Sequence, residues 1–149
     1  MATTPPPSLK GRALRLLSAR EHSRVELERR LAQFEEEPGT LAKVLDELQA
    51  KGFINEQRVI ESVLNRRSAK LGTARIRQEL QGKGLAPEAV LDALEQLRAT
   101  EVERAREVWR KKFGEPPADA AERGKQMRFL ASRGFGGDVI RKVVSGSDD

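Results

Sequence analysis

The amino-acid sequence predicts an all-α protein made of three tandem three-helix repeats. Three observations lead there. Apolar residues recur at helical spacing along the chain, and no run alternates with the period of two that a half-buried strand needs. Helix endings return in register: Glu79-Leu80-Gln81-Gly82-Lys83-Gly84-Leu85 has a counterpart in Phe129-Leu130-Ala131-Ser132-Arg133-Gly134-Phe135, fifty residues on. Leu27-Glu28-Arg29-Arg30-Leu31 likewise stands forty-nine residues before Ile76-Arg77-Gln78-Glu79-Leu80, and short helices beginning at Val44, Val90 and Val139 follow in each case. Self-similarity at a near-fixed period of this size marks a repeat architecture. Third, charged residues make up 34% of the chain and aromatics 4%, with no tyrosine, so the core must be mostly Leu, Val, Ile and Ala beneath long solvated faces.

The elements follow in order. Residues 1–7 form a Thr/Pro tail expected to be disordered. The first repeat, residues 8–54, opens with a helix from Ser8 to Ala19 on the stripe Leu9, Ala13, Leu16 and Leu17. Ser23 and Glu26 then have capping-box spacing, which predicts a second helix to about Gln33. Glu35-Glu36-Glu37-Pro38-Gly39 is a loop. A third helix is expected from Val44 to Lys51, stopped by Gly52, with Phe53 and Ile54 folded back onto its apolar face.

The second repeat, residues 55–99, starts on Asn55 as an N-cap. Its helices carry Ile60, Val63 and Leu64, then Ile76 and Leu80 after a break at Leu71-Gly72-Thr73. The last begins at Pro87, where a missing amide costs nothing. The third repeat, residues 100–144, has a second capping-box pattern at Thr100 and Glu103. Val102, Ala105, Val108 and Trp109 face inward, and Arg104, Arg110, Lys111 and Lys112 are expected outside. The closing helix runs from Asp138 to Val144, and residues 145–149 are a frayed acidic tail.

Several function classes find no support. Cysteine is absent, so disulfides, thiol catalysis and zinc–thiolate sites are out. No apolar run approaches the roughly 20 residues that cross a bilayer, and no signal-peptide core is seen, so a cytoplasmic protein without membrane contact is expected. The single histidine, His22, lies in a polar turn and reads as exposed, with no catalytic constellation around it. The paired glycines follow helices rather than strands and read as stops, not phosphate loops. Glu35 to Glu37 lack alternating ligand spacing and read as a solvated loop. Neither enzymatic activity nor a cofactor is expected.

The basic residues carry the functional lead. The chain's formal charge is +5, and residues 55–84 hold seven Lys or Arg against three acids, whereas residues 1–54 come to only +1. Arg66, Arg67 and Lys70 close one helix, and Arg75, Arg77 and Lys83 lie along the next. Arginine forks suit carboxylates and phosphates alike, so these six candidates point to an acidic protein surface or a nucleic-acid backbone. The alternative is a solvated helix face, with Arg66 and Arg67 serving the helix dipole. Arg12 and Arg15 of the first repeat are expected to matter less.

At these residues the sequence resembles the RecX family, bacterial regulatory proteins that modulate the RecA recombinase. The resemblance is carried by Leu48-x-x-x-Gly52-Phe53-Ile54-Asn55-x-x-Arg58 running into Glu61-Ser62. It continues through Leu71-Gly72-x-x-Arg75-Ile76-x-x-Glu79-Leu80-x-x-Lys83-Gly84-Leu85. Ser23-x-x-Glu26-Leu27-x-x-Arg30-Leu31 and Phe129-Leu130-x-x-Arg133-Gly134-Phe135 extend it over nearly the whole chain. Val59-Ile60 and Ala86 depart from the family pattern, at packing and capping positions. The resemblance implies an elongated, curved array of three-helix repeats without enzymatic activity. It also implies binding within the groove of the RecA–DNA filament, with damping of ATP hydrolysis and strand exchange in DNA repair and the SOS response. The expected partner is therefore the RecA filament, approached by a monomer, with single- or double-stranded DNA as the second candidate.

Overall fold

A computed structural model describes residues 5–146; residues 1–4 and 147–149, which hold much of the two expected tails, lie outside them. The described residues form nine α-helices and one short 3-10 turn, with no strand among them. In order these are α1 (Leu9–Ala19), α2 (Arg24–Leu31) continued by the 3-10 turn (Ala32–Phe34), α3 (Thr40–Ala50), α4 (Glu56–Arg67), α5 (Thr73–Gln81), α6 (Pro87–Ala99), α7 (Glu101–Lys112), α8 (Ala120–Ser132) and α9 (Gly137–Ser145).

The helix starts show why these segments fold locally. Ser8 accepts a hydrogen bond from the Gly11 amide at 3.0 Å. The first capping box forms as expected, the Ser23 hydroxyl accepting from the Glu26 amide and the Glu26 carboxylate from the Ser23 amide. Asn55 accepts from the Arg58 amide at 2.9 Å, and Pro87 is the first residue of α6. The second capping box does not form. Thr100 already ends α6 at φ −114°, ψ 7°, far from the extended conformation an N-cap needs, and its hydroxyl instead accepts from Arg104 Nε.

The third helix begins at Thr40, four residues before the expected Val44. Gly39 adopts φ +91°, and the Glu35 carboxylate accepts from the Leu41 amide at 2.9 Å, so a side chain outside the helix serves its open first turn. At the other end Phe53 donates to the Leu48 carbonyl and Gly52 to Gln49, the double bond of a Schellman stop. Of the two residues expected to tuck under, only Ile54 is buried; Phe53 is 46% exposed.

The chain divides into two compact units. The first comprises residues up to Val59 together with Lys83–Leu85. Its core is Ala13, Leu27, Leu31, Leu41, Leu45, Leu48 and Ile54, each no more than 6% exposed. His22, expected in solvent, is 1% exposed. It is held there because Nδ1 lies 2.9 Å from the Arg20 carbonyl, which makes Nδ1 the protonated nitrogen of a neutral ring. Burial pushes its pKa below 6.5. Nε2 is buried without a hydrogen-bond partner, so sequence pattern alone could not have placed it.

The second unit comprises Ile60–Gly82 and the chain from Ala86 onward. Val63, Ile76 and Leu80 are fully buried, as expected, with Val90, Ala93, Leu94 and Leu97. Ala105, Leu130, Phe135, Ile140, Val143 and Val144 form a further cluster. Two backbone segments of this unit meet at Gly72 and Gly134. The Gly72 amide donates to the Arg133 carbonyl at 2.7 Å and the Ala74 amide to the Gly134 carbonyl. A Cβ on Gly72 would stand 2.3 Å from the Gly134 carbonyl oxygen, so only glycine fits.

Arg104 was expected outside and is not. Its guanidinium reaches the carbonyls of Ser68, Leu71 and Leu97 at 2.7–2.9 Å. Ser68 and Leu71 present carbonyls just past the end of α4 and Leu97 one in the last turn of α6, where helix-end acceptors gather, which explains why a cation is drawn in.

Candidate partner-binding surface

The apolar stripe of α4 turns inward through Ile60 and Val63, which leaves Arg66, Arg67 and then Lys70 at the end of the helix to face α5. Both arginines converge on one carboxylate. Arg67 Nε lies 3.1 Å from Glu79 Oε1, and Arg66 Nη2 3.6 Å from Glu79 Oε2. The second oxygen is buried and accepts no hydrogen bond, so the ionic contact with Arg66 is a loose one.

Arg75, on α5, donates to the Ser132 carbonyl at 2.7 Å, and its side chain packs against Gly134 at φ +91°. Together Arg67, Lys70, Arg75 and Glu79 line a groove of about 520 Å³. The fourth cation there, Arg133, was not singled out from sequence. The repeat offered a signal for it, because Arg133 occupies the motif position of Lys83.

Arg77 does not join this groove. It is two residues from Arg75, about 200° around the helix, and lines a neighbouring groove of about 440 Å³ with Arg98 and Glu101. Lys83 is not brought to the cluster either. It belongs to the first unit, where Nζ sits 3.0 Å from Glu26 Oε2 with only 9% of its side chain exposed. Burial raises the Glu26 pKa, but the Ser23 amide and Lys83 more than offset this, and the carboxyl is held below its usual range.

The basic surface extends instead along α7 and α8. Lys70 and Arg133 also border a groove with Lys111, Lys112 and Phe129. The Arg133 guanidinium lies 4.7 Å and the Lys112 ammonium 5.4 Å from the Phe129 ring centroid, while Phe113 meets that ring edge-on at 5.5 Å. Lys70 makes no ion pair among the described residues. The arrangement is suited to holding anionic groups over a distance of several side chains, with its arginines aligned by carbonyls and Glu79 beforehand.

Comparison with known proteins places the chain in a family. Three family models match in sequence order: the first three-helix domain of RecX over residues 10–48, the second over residues 55–94 and the third over residues 99–144. Regulatory protein RecX of Leptothrix cholodnii is 56% identical over 141 residues, covering 95% of this chain and 90% of that protein. Regulatory protein RecX of Ralstonia nicotianae is 46% identical over 143 residues, with 96% and 90% covered. The crystal structure of RecX from Lactobacillus salivarius superposes with a TM-score of 0.74 over 94% of both chains at 20% identity, a likeness of fold. With its three domain models in order and relatives this similar along nearly its whole length, the chain belongs to the RecX family.

Proposed function

We propose that the chain is a non-enzymatic regulator that binds the RecA–DNA filament in the cytoplasm and restrains RecA's ATP hydrolysis and strand exchange. The observation that carries this reading is the basic groove of Arg67, Lys70, Arg75 and Arg133, set in a protein whose relatives are named regulatory proteins. Arg66 acts with them through Glu79, and Arg77 serves the adjoining groove. A filament offers both acidic protein surface and phosphates, and guanidinium forks bind either in bidentate fashion.

Lys70 and Arg133 are the residues to reverse, because Arg67 and Arg75 also hold Glu79 and the Ser132 carbonyl in place. Lys70→Glu with Arg133→Glu should leave melting nearly unchanged, since exposed charges contribute little to stability. It should weaken inhibition of RecA's DNA-dependent ATPase at least about tenfold, equivalent to roughly 1.4 kcal/mol of binding. Inhibition equal to that of the unaltered protein would move the binding face elsewhere. The second reading, direct binding of single- or double-stranded DNA, is favoured by the exposed run of Lys111, Lys112 and Arg133 around Phe129. It predicts DNA binding without RecA that falls steeply as salt is added.

A further inference from the structure

The first unit holds a second cationic feature that the reading above does not use. On α1, Arg12 and Arg15 are three residues apart and so share a face, with Leu16 beside them. The end of α2 brings Arg30 and Leu31 opposite, and the 3-10 turn adds Phe34. These side chains line a groove of about 350 Å³. The Arg12 guanidinium lies 3.7 Å from the Phe34 ring centroid, which orients it across the floor. Phe34 is 38% exposed, one of few large apolar side chains left in solvent.

None of the three arginines is in an ion pair among the described residues. Six carboxylates of the unit are engaged elsewhere. Glu21 pairs with Arg58, Glu28 and Asp46 with Arg24, and Glu47 with Lys10 and Lys51. Glu26 is taken by Lys83 and Glu35 by the Leu41 amide. Three unpaired guanidinium groups around an aliphatic floor are complementary to an anion that also carries an apolar group.

We propose that this groove docks an acidic peptide segment of a partner protein, with one large apolar side chain seated on Leu16 and Leu31 and flanking carboxylates held by Arg15 and Arg30. The volume is at the low end of the about 300–1,000 Å³ of ligand sites, which suits one anchoring side chain rather than an extended strand. A nucleic acid fits less well for two reasons. Residues 1–54 carry a net charge of only +1, too little to draw a polyanion from a distance. One face of the Phe34 ring is already covered by Arg12, which leaves little platform for stacked bases.

The test uses the whole chain and three fluorescent probes: a short peptide with a central phenylalanine flanked by Asp and Glu, the same peptide with alanine at the centre, and an oligothymidylate. The phenylalanine peptide should bind with a dissociation constant no weaker than about 1 mM and shift the NMR amide signals of Leu16, Leu31 and Phe34. Its affinity should fall at least about tenfold in Arg15→Glu with Arg30→Glu, and also in the milder Arg30→Ala should the reversal disturb folding. The alanine peptide should bind more weakly than its parent. No shift of those amides at millimolar peptide, unchanged affinity in both variants, or oligothymidylate displacing the peptide from them would each overturn the proposal. None of these results bears on whether Lys70 and Arg133 are needed for ATPase inhibition, so the two readings fail separately.

Discussion

In the middle domain Arg66 and Arg67 both reach Glu79 and Arg75 is tied to a carbonyl, whereas in the first domain Arg12, Arg15 and Arg30 surround Phe34 with no carboxylate partner among the described residues. A count of charges ranks these regions the other way, at +4 for residues 55–84 against +1 for residues 1–54. Formal charge sums what a segment carries, but the availability of a cation depends on which anion the fold sets beside it. The middle arginines are partly neutralised and pre-aligned, as suits a shaped groove. Arg12, Arg15 and Arg30 of the first domain make no ion pair among the described residues, while six acids of their unit are engaged with other partners.

The units differ in a second way. In the second unit the chain meets itself backbone to backbone at Gly72 and Gly134, and Arg104 gathers three carbonyls nearby. Among its described residues the first has no such lock, and instead buries a neutral histidine and a Lys83–Glu26 ion pair. The largest expected effect breaks the lock. Gly72→Ala forces a Cβ into the Gly134 carbonyl and should destabilise the second unit by about 1–3 kcal/mol. Gly82→Ala should do the opposite, gaining about 0.4–1 kcal/mol, because its backbone is already helical (φ −69°, ψ −9°) and the nearest atom is 3.6 Å from the new carbon. Denaturant unfolding followed by the fluorescence of Trp109 would read both, and equal effects would show that the lock is not a constraint.

A smaller effect tests the partnering of arginines. Glu79→Gln releases Arg66 and Arg67 from their anion, and a surface pair is worth up to about 1 kcal/mol. Affinity for the RecA filament should therefore rise, by up to about fivefold, while peptide affinity at the Arg15–Arg30 groove stays the same. A loss of filament affinity would mean that Glu79 positions the arginines more than it neutralises them.

The smallest effect separates the units by pH. The unfolded state takes up a proton on His22 below its ordinary pKa of 6.5, while burial keeps the folded ring neutral to lower pH. The stability of the first unit is therefore complete above about pH 6.5 and falls as pH drops through that value. Glu26, whose folded pKa is lowered, acts only further down, below its ordinary value of 4.5. Denaturation followed by the amides of Leu27 and Leu45 should show less stability near pH 5.5 than at neutral pH, and His22→Leu should remove the slope. An equal slope in the variant would place the titrating group elsewhere.

What the sequence by itself determined is the all-α class, the three domains matched in order, the apolar stripes and most helix ends. These depend on interactions within one or two turns: Ser23 with Glu26, Asn55 with the Arg58 amide, Gly52 ending α3. Where the start of a helix rests on a residue further off, as Glu35 serves Leu41, the sequence reading placed it late. The candidate site was legible in part, since Arg67, Lys70 and Arg75 do meet in one groove. Only the tertiary structure decided the rest. Lys83 and Arg133 hold the same place in the same repeated motif, yet one is buried against Glu26 and the other stands exposed beside Lys70. His22 sits inward against the Arg20 carbonyl, and Arg104 against those of Ser68 and Leu71. A polar side chain's fate depends on the burial and the counter-charge it meets across space, and helical periodicity encodes which face turns inward but not what waits there.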